Sequence, residues 1–286
     1  MRIPELFKEK KTVFSFEIFP PKKTSGIETI YNTIGSLAQL SPDFISVTYG
    51  AGGNVMDKST CEIASRIKRD HGIEPLAHLT CVNSTKEQAA YTIGQLNASG
   101  IENIMALRGD INPNVPVKED FKHASELALE IKNLSDMSIM GACYPEGHYE
   151  APSIEQDIEN LKFKLDAGVE GLVTQLFFDN GKFFEFMEKV RAAGITAPVS
   201  AGIMPIISTK LIQKTVTLSG CSLPHDFTRM LSSYENDSQA LFDAGIDYAS
   251  RQIRELIEHG VEGIHLYIMN NAAVAQRITE NIRDML

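Results

Sequence analysis

One short phrase recurs along the chain, and it restricts the possible folds more than any other feature. It reads HGIEP from His71, SGIEN from Ser99, AGVEG from Ala167, AGITA from Ala193 and HGVEG from His259. Each copy follows an amphipathic stretch and precedes an apolar run. A glycine in that position ends a helix in a left-handed turn, after which the chain can enter a strand. Gly72 to Gly100 and Gly168 to Gly194 each span about one βα unit of roughly 30 residues. Gly100 to Gly168 has room for two units, and Gly194 to Gly260 for one unit plus an insertion.

Strands are expected at 12–19, 44–49, 75–81, 103–108, 138–143, 171–177, 198–203 and 263–269. Helical patterns separate them. SIEQDIENLKFKLDAG, for example, opens with Ser153 and Gln156 as a capping box and closes on Gly168. Eight strands alternating with helices predict an α/β fold, a parallel (β/α)8 TIM barrel. Extra helices are inserted between strands seven and eight, among them a long one from about 239 to 259. No Pro/Ser-rich linker divides the 286 residues, so a single domain over 1–286 is expected.

The bulk properties exclude several functions. The net charge is −10 without basic clusters, which argues against binding nucleic acid or an anionic membrane. No apolar run approaches the roughly 18 residues of a membrane helix. MRIPELFKEKK places charges where an export signal needs apolar residues, so the cytoplasm is expected. Cys61, Cys81, Cys143 and Cys221 are far apart, which disfavours a disulfide framework or a zinc–thiolate site. No His/Asp/Glu spacing suits a metal, and no P-loop, G-x-S-x-G or G-x-G-x-x-G is present. The glycine-rich YGAGGN at 49–54 lacks dinucleotide spacing. No lysine lies in a strand core, which argues against Schiff-base chemistry.

Polar residues gather late in the expected strands. Strand one carries Ser15 and Glu17, strand two Ser46 and Thr48, and strand three His78 and Thr80. In each of these the polar positions share one parity, hence one face. Strand four ends in Arg108-Gly109-Asp110, strand five runs out through Tyr144 to His148, and strand six carries Gln175. The C-terminal rim of such a barrel carries the active site. Arg108 and Asp110 read either as a structural ion pair or as part of a rim cluster, and Gly109 leaves backbone room for a ligand. Glu17, flanked by Phe16 and Ile18, would have a raised pKa and act as a general acid if its site is dry. The alternative is a carboxylate paired with Arg or Lys across the barrel mouth. His78 taken alone reads as a hydrogen-bonded core histidine, Cys81 as a small buried hydrophobe, and Phe177 with Phe178 as packing.

SFEIFPPK, VTYGAGG, HLTC, ALRGD, YPEGH and TQLFFD occur in this order. Together they resemble the methylenetetrahydrofolate reductase family in its short bacterial form, over nearly the whole chain. The resemblance implies a barrel holding FAD at its C-terminal rim. Hydride would pass from NADH or NADPH to the flavin, and then to 5,10-methylenetetrahydrofolate to give 5-methyltetrahydrofolate. It implies Glu17 as the general acid and Asp110 as the carboxylate near the flavin pyrimidine and the pterin. Thr48, His78, Arg108, Gly109, Asp110, Ala142, Tyr144 and His148 match flavin-contacting positions. Asp157 and Lys164 match contacts to ribose and pyrophosphate, and Gln175 a folate contact. The family also tends to form homo-oligomers.

The chain departs from the family pattern at three places. Leu211 and Thr215 stand near positions where family members carry a glutamine and a phenylalanine. Asn271 stands where an arginine commonly addresses the folate tail. These departures leave the flavin half of the site unchanged. They keep open a flavin-carrying subunit that takes electrons from a partner protein, and a pterin-binding barrel methyltransferase is the other alternative.

Overall fold

The computed structural model describes residues 1–21, 26–49, 59–111 and 117–286, without the side chains of residues 210, 213, 214, 217 and 218. Most of the glycine-rich stretch, 50–54, lies outside the described residues. Eight strands form a closed ring in chain order: β1 Val13–Ile18, β2 Phe44–Val47, β3 Glu74–Thr80, β4 Asn103–Leu107, β5 Ser138–Cys143, β6 Val169–Thr174, β7 Val199–Ile203 and β8 Gly263–Tyr267. Every neighbouring pair is parallel, including β8 against β1. The fold is the expected (β/α)8 TIM barrel. The recurring glycines do what their position demands: Gly72, Gly100, Gly168, Gly194 and Gly260 all have φ between 66° and 110°.

The helices are α1 Ile3–Glu9, α2 Ile27–Ala38, α3 Ser59–His71, α4 Lys86–Ala98, α5 Ala124–Leu134, α6 Ile154–Asp166, α7 Asn180–Ala192, α8 Thr209–Ser219, α9 His225–Ser233, α10 Ser238–Glu258 and α11 Ala272–Ile282. The insertion before β8 consists of α8, α9 and the long α10, which falls within one residue of expectation at each end. At α6, Ser153 caps as expected, accepting the Gln156 N–H at 3.2 Å. The reciprocal half of the capping box is missing, because the Gln156 carboxamide turns to Asn160.

Strand alternation divides the apolar residues into two cores. Phe14, Phe16, Ile18, Ile45, Val47, Ala77, Leu79 and Ile104 face outward and pack under the helices. Val13, Phe44, Leu76, Met105, Met140 and Val173 face inward and form the barrel floor. The short α1 closes that floor from below with Ile3 and Leu6. Its first turn is held by Asn103, whose Oδ1 accepts the Ile3 N–H at 2.7 Å. Side chains of this size stabilise by about 1.5–3 kcal/mol each when fully buried. With the lower end filled, space for a ligand remains at the upper, C-terminal end.

Candidate active site

Above the apolar floor the inward-facing positions become polar. Ser15 on β1, Ser46 on β2 and His265 on β8 form a buried layer, and Glu17, His78 and Tyr267 stand one step higher. Strand register brings the two levels into contact, since Glu17 lies beside Ser46 on one side and Tyr267 on the other. The layer opens into a cavity of about 580 Å3 lined by Glu17, Thr48, His78, Arg108, Gly109, Asp110, Ala142, Tyr144, His148 and Gln175, among others. Glu17 and Asp110 therefore share one mouth of the barrel, with open space between.

A second cavity of about 690 Å3 continues from the first over the β4–β5 rim toward α5 and α6. The two share Leu107, Arg108, Ala142, Tyr144 and His148. Asp157 and Lys164 line the second cavity and not the first. The expected site residues thus fall along one elongated groove rather than in a single pit.

The Glu17 carboxyl has His78 Nε2 at 3.7 Å and His265 Nε2 at 3.8 Å, and no Arg or Lys pairs with it among the described residues. The pairing alternative is therefore not realised. The dry site is not realised either: the side chain is 20% exposed and borders the open cavity. Burial is the largest influence on His78 and pushes its pKa down to about 4, against the pull of Glu17. The His78 Nε2 is buried and finds no hydrogen-bond partner among the described residues.

Arg108 and Asp110 do not pair with each other. Arg108 instead forms a two-toothed ion pair with Glu150, one arm at 3.1 Å. The reason lies at Gly109, whose φ of +85° turns the chain between the two side chains. The turn is held by the Arg108 carbonyl, which accepts the N–H of Val82 at 2.8 Å. A Cβ at Gly109 would lie 3.0 Å from Thr80 Cβ, so the strand end requires glycine as well as leaving room for a ligand.

Tyr144 and His148 meet edge to face with centroids 4.7 Å apart. Burial, and then the Asp110 charge, push the Tyr144 phenol up to about 12, so it remains a neutral donor. Burial lowers His148, and Arg108 adds to this. Asp157 is buried and accepts the His148 backbone N–H at 3.0 Å, which fixes the loop after β5 to α6. Lys164 donates to the Ala142 carbonyl at 2.7 Å, and burial lowers its pKa. The Gln175 Oε1 accepts the Leu176 N–H at 2.9 Å, leaving its NH2 group available.

At the departures from the family pattern, Thr215 is buried with its hydroxyl 3.5 Å from Met204 Sδ, and Leu211 packs in the cluster under α8 and α9. Asn271 caps α11 by accepting the Ala273 and Val274 N–H groups. Phe177 stacks on Phe183, and Phe178 on Phe227. Cys81 is buried as expected.

His265 and Tyr267 were missed by sequence reasoning. The signal was present, since in GIHLY the polar positions alternate with Ile264 and Leu266 as they do in the first three strands. Tyr267 donates to the Thr174 carbonyl at 2.6 Å, and burial and then Glu17 raise its pKa well above 10.

The fold and the rim define a TIM-barrel protein with an acid-bearing groove at the C-terminal ends of its strands. Residues 2–283 match the family described as methylenetetrahydrofolate reductase. The chain is 36% identical to the 5,10-methylenetetrahydrofolate reductase of Pectobacterium carotovorum over 94% of its length and 89% of that protein. It is 34% identical to the Escherichia coli protein of the same name, over 94% and 90%. A plant relative, methylenetetrahydrofolate reductase (NADH) 1 of Arabidopsis thaliana, is 33% identical over 94% of this chain and 48% of its own. Among solved structures, an uncharacterised Clostridium thermocellum protein superposes with a TM-score of 0.70 at 14% identity, covering both chains fully. The chain belongs to the methylenetetrahydrofolate reductase family.

Proposed function

We propose that the chain reduces 5,10-methylenetetrahydrofolate to 5-methyltetrahydrofolate on a bound FAD, with NADH or NADPH as the electron source. The observation that carries this is the groove itself, with Glu17 and Asp110 in one cavity and Asp157 and Lys164 in its continuation. An elongated two-chamber groove suits a dinucleotide better than a mononucleotide. The residues present fit such a group: the unpartnered His78 Nε2 is a polar atom awaiting a ligand, and Gly109 keeps the β4 end free of a side chain. Thr48, His78, Arg108, Gly109, Asp110, Ala142, Tyr144 and His148 would hold the ring and its chain, and Asp157 and Lys164 the ribose and pyrophosphate. When bound, FAD would supply the ring that takes up hydride from the nicotinamide and passes it to the folate.

The remaining steps belong to side chains. Glu17 gives a proton to the folate so that its methylene bridge opens to an iminium, the better hydride acceptor. Asp110 holds a negative charge at the cavity mouth, and a fixed charge beside a redox ring disfavours adding electrons to it. Gln175 presents its NH2 to the pterin. The solved Clostridium relative, which binds two copies of 5-methyl-5,6,7,8-tetrahydrofolic acid, supports a reduced folate as the ligand. The same reading carries a single domain, a homo-oligomer and the cytoplasm.

The purified protein should be yellow with a flavin spectrum, and anaerobic NADH or NADPH should bleach it. Glu17→Gln should keep the colour and lose folate reduction. A protein that remains colourless after incubation with FAD would overturn the reading. Asn271 serving as a helix cap, and Thr215 buried against Met204, favour a second reading in which a partner protein supplies the electrons. Flavin that binds but is not bleached by either nucleotide would select it.

A further inference from the structure

Two buried side-chain atoms on residues lining the cavity of about 580 Å3 find no hydrogen-bond partner among the described residues. One is His78 Nε2, already left to the flavin. The other is Asn83 Oδ1, which has no part in that reading. An unpaired buried amide oxygen opposes folding, so a native chain keeps one where its function needs it.

The backbone on both sides of Asn83 is pinned. Val82 donates its N–H to the Arg108 carbonyl at 2.8 Å, and its own carbonyl accepts the Lys118 N–H at 3.0 Å. Ser84 donates its N–H to the Cys81 carbonyl at 2.9 Å and its hydroxyl to the Thr80 carbonyl at 3.0 Å. These bonds tie the end of β3 to the turn at Gly109 and leave only the Asn83 side-chain torsions to move. The χ2 torsion of asparagine is broad, so its oxygen turns toward the cavity without a backbone shift.

A carboxamide offers an acceptor and two N–H donors side by side. Its complement is a cyclic amide edge, an N–H next to a C=O. The pyrimidine ring of a flavin carries such an edge, and so does a pterin. Position favours the flavin. Asn83 follows β3 and adjoins the end of β4, where His78, Gly109 and Asp110 stand. The residues assigned to the folate, Glu17 and Gln175, lie on β1 and just beyond β6.

We propose that Asn83 is a further flavin-binding residue, which pairs its carboxamide with the N–H and a carbonyl of the pyrimidine edge. The inference rests on the reading of FAD as the bound group. The contact selects a ring with an amide edge over one without, and it stays unmade until that ring arrives.

The test reads flavin affinity and apoprotein stability together in Asn83→Ala. FAD titrated into the flavin-free protein, followed by flavin fluorescence, should bind roughly 5- to 20-fold more weakly than in wild type, the worth of one or two hydrogen bonds. The flavin-free variant should melt within about 2 °C of wild type, because the oxygen it lost had no partner there. ADP, which carries the far half of the dinucleotide, should compete equally well in both. Asn83→Asp keeps the size but has no N–H to give a ring carbonyl, and it should weaken FAD binding at least as much. Wild-type affinity in either variant would overturn the inference. So would weakened binding of 5-methyltetrahydrofolate with FAD unaffected, since the edge read would then be the pterin's. A melting point lowered by several degrees in Asn83→Ala, or an equal loss for ADP, would mark a structural role and overturn it as well. A wild-type protein that takes up no FAD would remove the parent reading together with this one.

Discussion

The Asn270 side chain clamps the backbone of Phe19, accepting its N–H at 2.9 Å and donating to its carbonyl at 2.8 Å. The clamp extends the β8–β1 pairing beyond the end of both strands, where the ring closes beside Glu17. Asn270 sits at φ 57°, a left-handed conformation that asparagine tolerates better than most residues. Asn270→Ala loses two hydrogen bonds of about 1 kcal/mol each and leaves alanine strained. The expected cost is roughly 2–4 kcal/mol in denaturant unfolding. A loss below about 0.5 kcal/mol would show that the clamp is incidental.

His78 makes stability depend on pH. Burial holds its pKa near 4, down from 6.5, so the folded chain leaves it neutral where the unfolded chain protonates it. Between those values the unfolded state binds more protons, so stability falls as pH drops through the window. The shift corresponds to a loss of about 3 kcal/mol from pH 7 to pH 4. Unfolding of wild type and His78→Gln across that range measures it. Wild type should lose the larger amount, and parallel curves would show that His78 is not the source.

Much of this architecture was legible in the chain because it follows from local chemistry. Five turn glycines need positive φ, and polar parity in β1 to β3 marked the inward face. The misreadings were of a different kind. Arg108 and Asp110 looked like partners by proximity and charge, but Gly109 turns the backbone between them and Glu150, 42 residues on, takes the guanidinium. Helix α1 went unseen because seven residues carry too little periodicity, and its role depends on Phe44, Leu76 and Met105 from three distant strands. Glu17 stood out within its own strand, but its neighbours His78, His265 and Tyr267 come from β3 and β8, a juxtaposition only ring closure creates.

The Arg108–Glu150 pair should matter more for ligand binding than for folding. The arginine hydrogen bond is the largest influence on Glu150 and holds its carboxyl below the usual range. Its contribution is therefore present at neutral pH and is lost as pH falls through the lowered value. Glu150 is 40% exposed, so solvent screening limits the coupling to about 1 kcal/mol or less in a double-mutant cycle. Arg108→Ala should weaken FAD binding at least tenfold. Glu150→Gln, which frees the guanidinium for the ligand, should strengthen it a few-fold. Equal weakening in both variants, measured by flavin titration, would mean that Glu150 instead orients Arg108.

Gly202 tests the far wall of the same cavity. A Cβ there would lie 2.6 Å from the Tyr267 ring and 2.8 Å from its hydroxyl, and would also crowd the Thr174 carbonyl. That carbonyl accepts the Tyr267 hydroxyl, while Thr174 Oγ1 accepts the Gly202 N–H at 2.8 Å. Neither the backbone oxygen nor the phenol hydrogen-bonded to it can give way cheaply. Gly202→Ala should therefore displace Tyr267 toward Glu17 and cost roughly 2–4 kcal/mol, as other overpacked cores do. Pairing it with Tyr267→Phe separates the two contacts, since the phenylalanine removes the hydroxyl clash and leaves the ring clash. The double variant should recover part of the lost stability in thermal unfolding. No recovery would assign the whole penalty to the ring and the Thr174 carbonyl.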